Sequence, residues 1–171
     1  RVHVVYNGID PDAFMSKLTP VDAKAKLGLA PDHRVILVVA RLTAQKNIHL
    51  FLEMAVDVSA RHPLARFVIA GDGELRNELE AYARELGLSE RVMFLGSRPD
   101  IPDILRATDV MTLTSHYEGL ANTLLEAMAV GLPVVSTAYA GVEELFTDQR
   151  EGLIVPLRDR PALTQAVLRV L

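Results

Sequence analysis

Short, unbroken apolar runs alternate with longer helical patterns along this chain, and that alternation constrains its fold more than any other feature. Runs at Val2–Tyr6, Val35–Val39, Arg66–Ala70, Arg91–Leu95, Val110–Leu113, Val134–Ser136 and Leu153–Val155 read as strands. The inner runs are continuous and β-branched rather than alternating, which is the pattern of parallel strands covered on both faces. Thr19-Pro20 supplies an N-cap and a first-turn proline for a helix closing at Gly28. Asn47 is expected to cap a helix reaching about Ala60, with Leu50, Phe51, Met54 and Val58 on one side. Further helices are expected over Glu74–Leu86 (stopped by Gly87), Pro102–Ala107, Ala121–Val130 and Val142–Phe146, with a last one after Arg160. This order of elements predicts an α/β fold, a doubly wound parallel sheet with right-handed crossovers. The sequence contains no internal repeat, linker or low-complexity segment.

In sheets of this kind ligands bind in the crevice at the carboxyl ends of the strands. Most of the unusual polar residues fall there. Arg41 and Lys46 follow one strand, Asp72 the next, Ser97 and Arg98 another, and Glu118 a fourth. Arg41 and Lys46 flank one strand-to-helix loop, so a planar fork of donors and a compact charge could both reach one diphosphate. Two solvated surface cations are the plainer alternative. Glu118 lies in a glycine-containing loop, and Glu126 sits within the following helix among Leu124, Leu125, Ala127, Met128 and Ala129. On that helix Asn122 and Glu126 are one turn apart and share a face. An ionised carboxylate in such apolar company is costly unless a polar group meets it. The alternative is a surface helix carrying one solvated glutamate.

Composition narrows the partners. The 171 residues fit one domain with a substantial core, and a formal net charge of −4 argues against a polyanion-binding face. With no Trp and 5% aromatics, nucleic acid has little to stack on. The absence of cysteine removes disulfide scaffolds and thiolate metal sites, and fits a reducing, cytoplasmic setting. No apolar run approaches the roughly 20 residues that span a bilayer, and no signal peptide is visible. The chain opens at Arg1 rather than Met and stops at Leu171 inside an apolar helical pattern, so it reads as an excised domain.

The stretch EGLANTLLEAMAVGLPVV resembles the donor-binding motif of retaining glycosyltransferases of family 4, with Glu118 and Glu126 as the Glu-x7-Glu pair and Pro133-Val134-Val135 following. The resemblance extends over nearly the whole chain. It takes in Asn7-Gly8-Ile9-Asp10, Ala40-Arg41-Leu42 with Lys46-Asn47, Gly71-Asp72-Gly73, Phe94-Leu95-Gly96, Ala140-Gly141-Val142-Glu143-Glu144 and Gly152-Leu153-Ile154-Val155-Pro156. Each tripeptide is weak evidence, whereas their order and spacing are strong. The resemblance implies that residues 1–171 form a Rossmann-like half of a GT-B architecture. That half is the C-terminal domain holding a nucleoside diphosphate-sugar, the UDP form being the leaning. An N-terminal acceptor domain is then missing from the chain, and through it an acceptor at the inner face of a membrane is compatible.

By the same resemblance Arg41 and Lys46 hold the diphosphate, and Glu118 holds hydroxyls of the transferred sugar. Glu126 accepts from the ribose. The backbone of Gly119, Leu120 and Thr123, with Asn122 beside them, contacts sugar or phosphate. Gly96, Ser97 and Arg98 border the nucleobase. No metal and no cofactor is expected, and the isolated domain is expected to be inactive. The departures are Ala40 and Asn47, where relatives often carry Gly, and Ala121, often Pro or a larger residue, which would alter the sugar pocket. Two other readings stand beside this one, a sugar-nucleotide epimerase of the same architecture and a non-catalytic sugar-nucleotide-binding module. Asp10-Pro11-Asp12 matches the Asp-x-Asp metal motif of another transferase class but reads better as a turn. Gly71-Asp72-Gly73 lacks the last glycine of a dinucleotide fingerprint, which speaks against a dehydrogenase. His3, His33, His49, His62 and His116 show no metal-ligand spacing, though His116 stands near Glu118.

Overall fold

A computed structural model describes residues 8–171, so the strand expected at Val2–Tyr6 and the motif residue Asn7 lie outside the described residues. Six parallel strands form one sheet in the order β3-β2-β1-β4-β5-β6. They are β1 (Arg34–Val39), β2 (Ala65–Ala70), β3 (Val92–Gly96), β4 (Val110–Leu113), β5 (Val134–Thr137) and β6 (Leu153–Val155). The helices α1 (Pro20–Lys26), α4 (Ile101–Ala107) and α5 (Asn122–Ala129) cover one face, and α2 (Ile48–Arg61), α3 (Arg76–Glu85) and α6 (Arg160–Val170) cover the other.

The two faces explain the unbroken apolar runs. Ile36 and Val38 of β1, with Phe67 and Ile69 of β2, pack under α2, α3 and α6. Their neighbours Val35, Leu37, Val68 and Ala70 pack under α1, α4 and α5. Apolar side chains of the central strands are therefore buried on either face, and a fully buried Val, Leu, Ile or Phe there contributes roughly 1.5–3 kcal/mol by leaving water. Phe51 of α2 meets Phe67 edge-on, ring centres 6.0 Å apart.

Local signals placed most helix starts. The Thr19 hydroxyl accepts from the Asp22 N–H at 3.2 Å, ahead of Pro20. Three expectations need correction. Asn47 precedes α2 but gives no side-chain cap. It stands instead in the left-handed region (φ 47, ψ 50), where it closes the 3-10 turn Ala44–Lys46. Asn takes that conformation more readily than most residues, which suits a position where the family resemblance leads one to expect Gly. The helix expected over Val142–Phe146 is a single 3-10 turn, Val142–Glu144. α3 begins at Arg76 rather than Glu74, because Gly73 and Leu75 are tied to the loop after β1: the Leu75 N–H donates to the Leu42 carbonyl at 3.1 Å.

Candidate functional site

β1 and β4 are neighbours, yet the chain leaves β1 toward α2 on one face and leaves β4 toward α5 on the other. The two loops part at the carboxyl edge and open a crevice, as the topology of doubly wound sheets requires. A cleft of about 490 Å³ lies there, lined by Arg41 after β1, Gly71 and Asp72 after β2, Ser97 and Arg98 after β3, and Thr123 in the first turn of α5.

The floor of this cleft is backbone against backbone. Gly71, at φ +132, lies so close to the preceding loop that a Cβ would stand 1.9 Å from the Ala40 carbonyl oxygen. A Cβ on Gly73 would meet the Leu42 carbonyl oxygen at 2.4 Å. The Leu42 N–H donates to the Asp72 carbonyl at 2.9 Å, and the Gly71 N–H to the Gly96 carbonyl at 2.8 Å. The Gly71-Asp72-Gly73 motif is thus the means by which the loops after β1, β2 and β3 are drawn together. Arg41 is presented, exposed, on the wall they form.

Positive charge surrounds the cleft in two further forms. α5 starts at Ala121 without a side-chain cap; the Asn122 and Leu124 N–H groups are taken by the Leu120 and Ala121 carbonyls, which leaves the Thr123 N–H and the positive end of the helix dipole toward the cleft. Arg98 is held in a two-pronged pair with Asp100, Nε at 2.7 Å and Nη2 at 2.6 Å, and Asp100 also takes Lys26 at 2.9 Å. These partners hold the Asp100 carboxyl well below the usual carboxylate range, Arg98 first. Arg98 is consequently a fixed plate in the wall and not a mobile cation.

Lys46 and Glu118 do not line this cleft. They meet each other across the strand switch, in a way their separation in sequence conceals. The Lys46 ammonium donates to both Glu118 oxygens, at 2.6 and 2.8 Å, and the Ser115 hydroxyl donates to Oε1 at 2.5 Å. The Glu118 side chain is 7% exposed and that of Lys46 20%. Backbone ties hold the two loops in register. The His116 N–H donates to the Gln45 carbonyl at 2.9 Å, Gln45 Nε2 to the Tyr117 carbonyl at 2.7 Å, and Thr114 Oγ1 to the Lys46 carbonyl at 2.8 Å.

The remaining expected residues scatter around this pair. Glu126 is half-buried on α5, and burial, with no compensating partner among the described residues, pushes its carboxyl up. Asn122 and Gly119 are exposed and Leu120 is partly so, its carbonyl accepting the Asn122 N–H at 3.0 Å. Gly96 sits at the end of β3, where an added Cβ would come within 2.9 Å of the Arg76 guanidinium. Ala121 is buried in the core. His116 is partly exposed in the Glu118 loop.

Two residues escaped the sequence reading. Ser115 is wholly buried beneath Glu118, and the Thr137 hydroxyl supports its carbonyl at 2.7 Å. Its place three residues before the glutamate was the only available signal. Tyr139, just past β5, is 2% exposed, and its hydroxyl has no hydrogen-bond partner among the described residues. Burial, then the nearby Glu118 charge, pushes that hydroxyl up to about 12. An aromatic at a strand end reads as core, so nothing in the sequence singled it out.

Together the strand order and the switch-point cleft define a Rossmann-like α/β domain of the GT-B glycosyltransferase type. The family described as Glycosyl transferases group 1 matches residues 22–171, and the chain belongs to that family. It is 37% identical over 174 residues to the UDP-Gal:alpha-D-GlcNAc-diphosphoundecaprenol alpha-1,3-galactosyltransferase of Escherichia coli, covering 99% of this chain and 45% of that protein. It is 32% identical over 170 residues to the lipopolysaccharide core biosynthesis mannosyltransferase LpsB of Rhizobium meliloti, covering 95% of this chain and 48% of that protein. The crystal structure of Anabaena Alr3699/HepE in complex with UDP and glucose superposes with a TM-score of 0.89 at 27% identity, over 98% of this chain and 46% of that one. The chain thus spans about half the length of these relatives. Among the described residues no helix is long and apolar enough to cross a membrane.

Proposed function

We propose that residues 1–171 are the donor-binding, C-terminal half of a retaining, metal-independent transferase that takes its sugar from a UDP-sugar. The observation that carries this reading is the cleft at the strand switch, with exposed Arg41 on one wall and the uncapped start of α5 on the other. Both offer positive charge to a diphosphate, the helix through its dipole and the Thr123 N–H and Arg41 through its fork. Charge grows on the diphosphate as the sugar leaves, so donors already in place lower the barrier. Such groups supply the neutralisation that a divalent cation gives elsewhere, which supports a metal-independent reaction.

In this reading Ser97 and Arg98 border the nucleobase from the β3 side of the cleft, with Gly96 setting the turn beneath them. Glu126 accepts from the ribose hydroxyls, and its half-buried, unpartnered carboxylate suits a ligand that brings its own donors. Glu118 orients the transferred sugar, with the backbone of Gly119, Leu120 and Thr123 and the side chain of Asn122 around it. Lys46 exchanges its carboxylate for the diphosphate when donor arrives. The UDP form is supported by the UDP complex of the Anabaena relative. The acceptor belongs to the half of the protein that this chain does not span. The relative from Escherichia coli is named for a lipid-linked acceptor, which supports work on the cytoplasmic side of a membrane.

Calorimetric titration with UDP, GDP, ADP and their glucose or mannose derivatives tests the assignment. UDP and a UDP-sugar should bind, and Arg41→Ala should weaken both, increasingly so at low salt where its unscreened attraction is largest. Equal affinity of wild type and Arg41→Ala for every nucleotide would remove the cleft as the donor site.

A further inference from the structure

Among the described residues, the Tyr139 hydroxyl near the candidate site is buried and has no hydrogen-bond partner. Its side chain belongs to the apolar core under α1, α4 and α5, and the residue is 2% exposed. An orphaned buried donor normally costs stability, so its presence calls for a reason. Its surroundings supply one. The Tyr139 N–H is anchored on the Thr137 carbonyl at 2.9 Å, and the Thr137 hydroxyl is anchored on the Ser115 carbonyl at 2.7 Å. Ser115 in turn holds Glu118. Tyr139 therefore hangs on the same short scaffold as the carboxylate, two residues beyond the end of β5.

Glu118 is nearly closed off from solvent, and its charge is balanced by Lys46 in the donor-free protein. If Lys46 turns to a diphosphate, as the proposed function requires, a buried carboxylate loses its cation and keeps Ser115 and the hydroxyls of the arriving sugar, none of them charged. A further donor supplied by the protein would then hold the carboxylate in the place that orients the sugar. We propose that Tyr139 is a positioning residue for Glu118, whose hydroxyl takes up the carboxylate when Lys46 leaves it for the donor. In the free protein Glu118 Oε1 accepts from Lys46 and Ser115 and Oε2 from Lys46, while the Tyr139 hydroxyl has no partner among the described residues. This inference rests on the donor-site reading above.

Tyr139→Phe in the protein carrying this chain is the test, because it removes only the oxygen. Three expected results belong together. The ligand-free variant melts about 2 °C higher, since an unsatisfied buried group is gone. UDP affinity is unchanged, while UDP-glucose or UDP-galactose affinity falls about three- to tenfold, the worth of one hydrogen bond. In a Glu118→Ala background the same substitution has no further effect on sugar-donor affinity. Unchanged affinity for both UDP-sugars in Tyr139→Phe would overturn the proposal and leave Tyr139 a packing residue. A lower melting temperature would overturn it too, by showing that the hydroxyl already has a partner in the free protein. Should wild type bind neither UDP nor either UDP-sugar, the donor-site reading itself falls and takes the inference with it.

Discussion

At the scale of single residues, the Lys46–Glu118 pair dominates the energetics of the site. Both residues stood out in the sequence, but for separate tasks, one at phosphate and one at sugar. Their contact was not legible because 72 residues separate them and only the sheet order brings their loops together. Removing Lys46 alone leaves a carboxylate that is 7% exposed without its cation, so Lys46→Ala should destabilise the free protein by about 3 kcal/mol in a urea titration. The double substitution Lys46→Met, Glu118→Leu should restore most of that stability while abolishing sugar-donor binding. Glu126 behaves in the opposite sense. Its carboxyl is raised by burial in the folded state, so the native protein holds this proton more tightly than the unfolded chain does. Stability from this group is fully present below the ordinary glutamate range and is lost as pH rises through the raised value. Glu126→Gln should therefore melt higher than wild type at pH 7, with the gap closing at about pH 4, and should bind UDP more weakly. A parallel loss of stability at pH 7 would show that the carboxylate already has a partner.

At the scale of elements, the strands were legible almost to the residue because both faces of each central strand are buried and leave no room for alternation. β3 begins one residue later than expected and ends on Gly96, where the bridge to Gly71 extends it. What the sequence concealed were the loop conformations. Asn47 carried a helix-cap signature that its left-handed backbone overrides, and the Val142 segment was too short to grow past one turn. The glycines divide sharply on the same ground. Gly71→Ala sets a methyl 1.9 Å from the Ala40 carbonyl oxygen at a φ of +132 that L side chains rarely adopt, so a loss of about 3 kcal/mol or more is expected in the same urea titration. Gly119→Ala meets nothing within 4 Å and should change stability by less than about 0.5 kcal/mol. Any effect of Gly119→Ala on UDP-sugar binding then reports the ligand alone.

At the scale of the whole molecule, the cleft has walls from one sheet edge only, while relatives about twice as long match this chain over nearly all of its residues. Residues 1–171 alone are expected to bind UDP without transferring sugar, and the complete protein to do both. Product analysis with a UDP-sugar and a lipid-linked acceptor, on fragment and complete protein side by side, checks this. Transfer by the fragment would place the acceptor site within these residues. The close backbone approaches at Gly71, Gly73 and Gly96 also bear on how such a domain diversifies. Positions 71 and 73 admit no side chain, and position 96 would crowd Arg76, so these positions offer little variation on which selection can act. On the donor-site reading proposed above, a lineage that changes its donor does so from the walls, at Ser97, Thr123 and their neighbours, while these glycines are inherited unaltered.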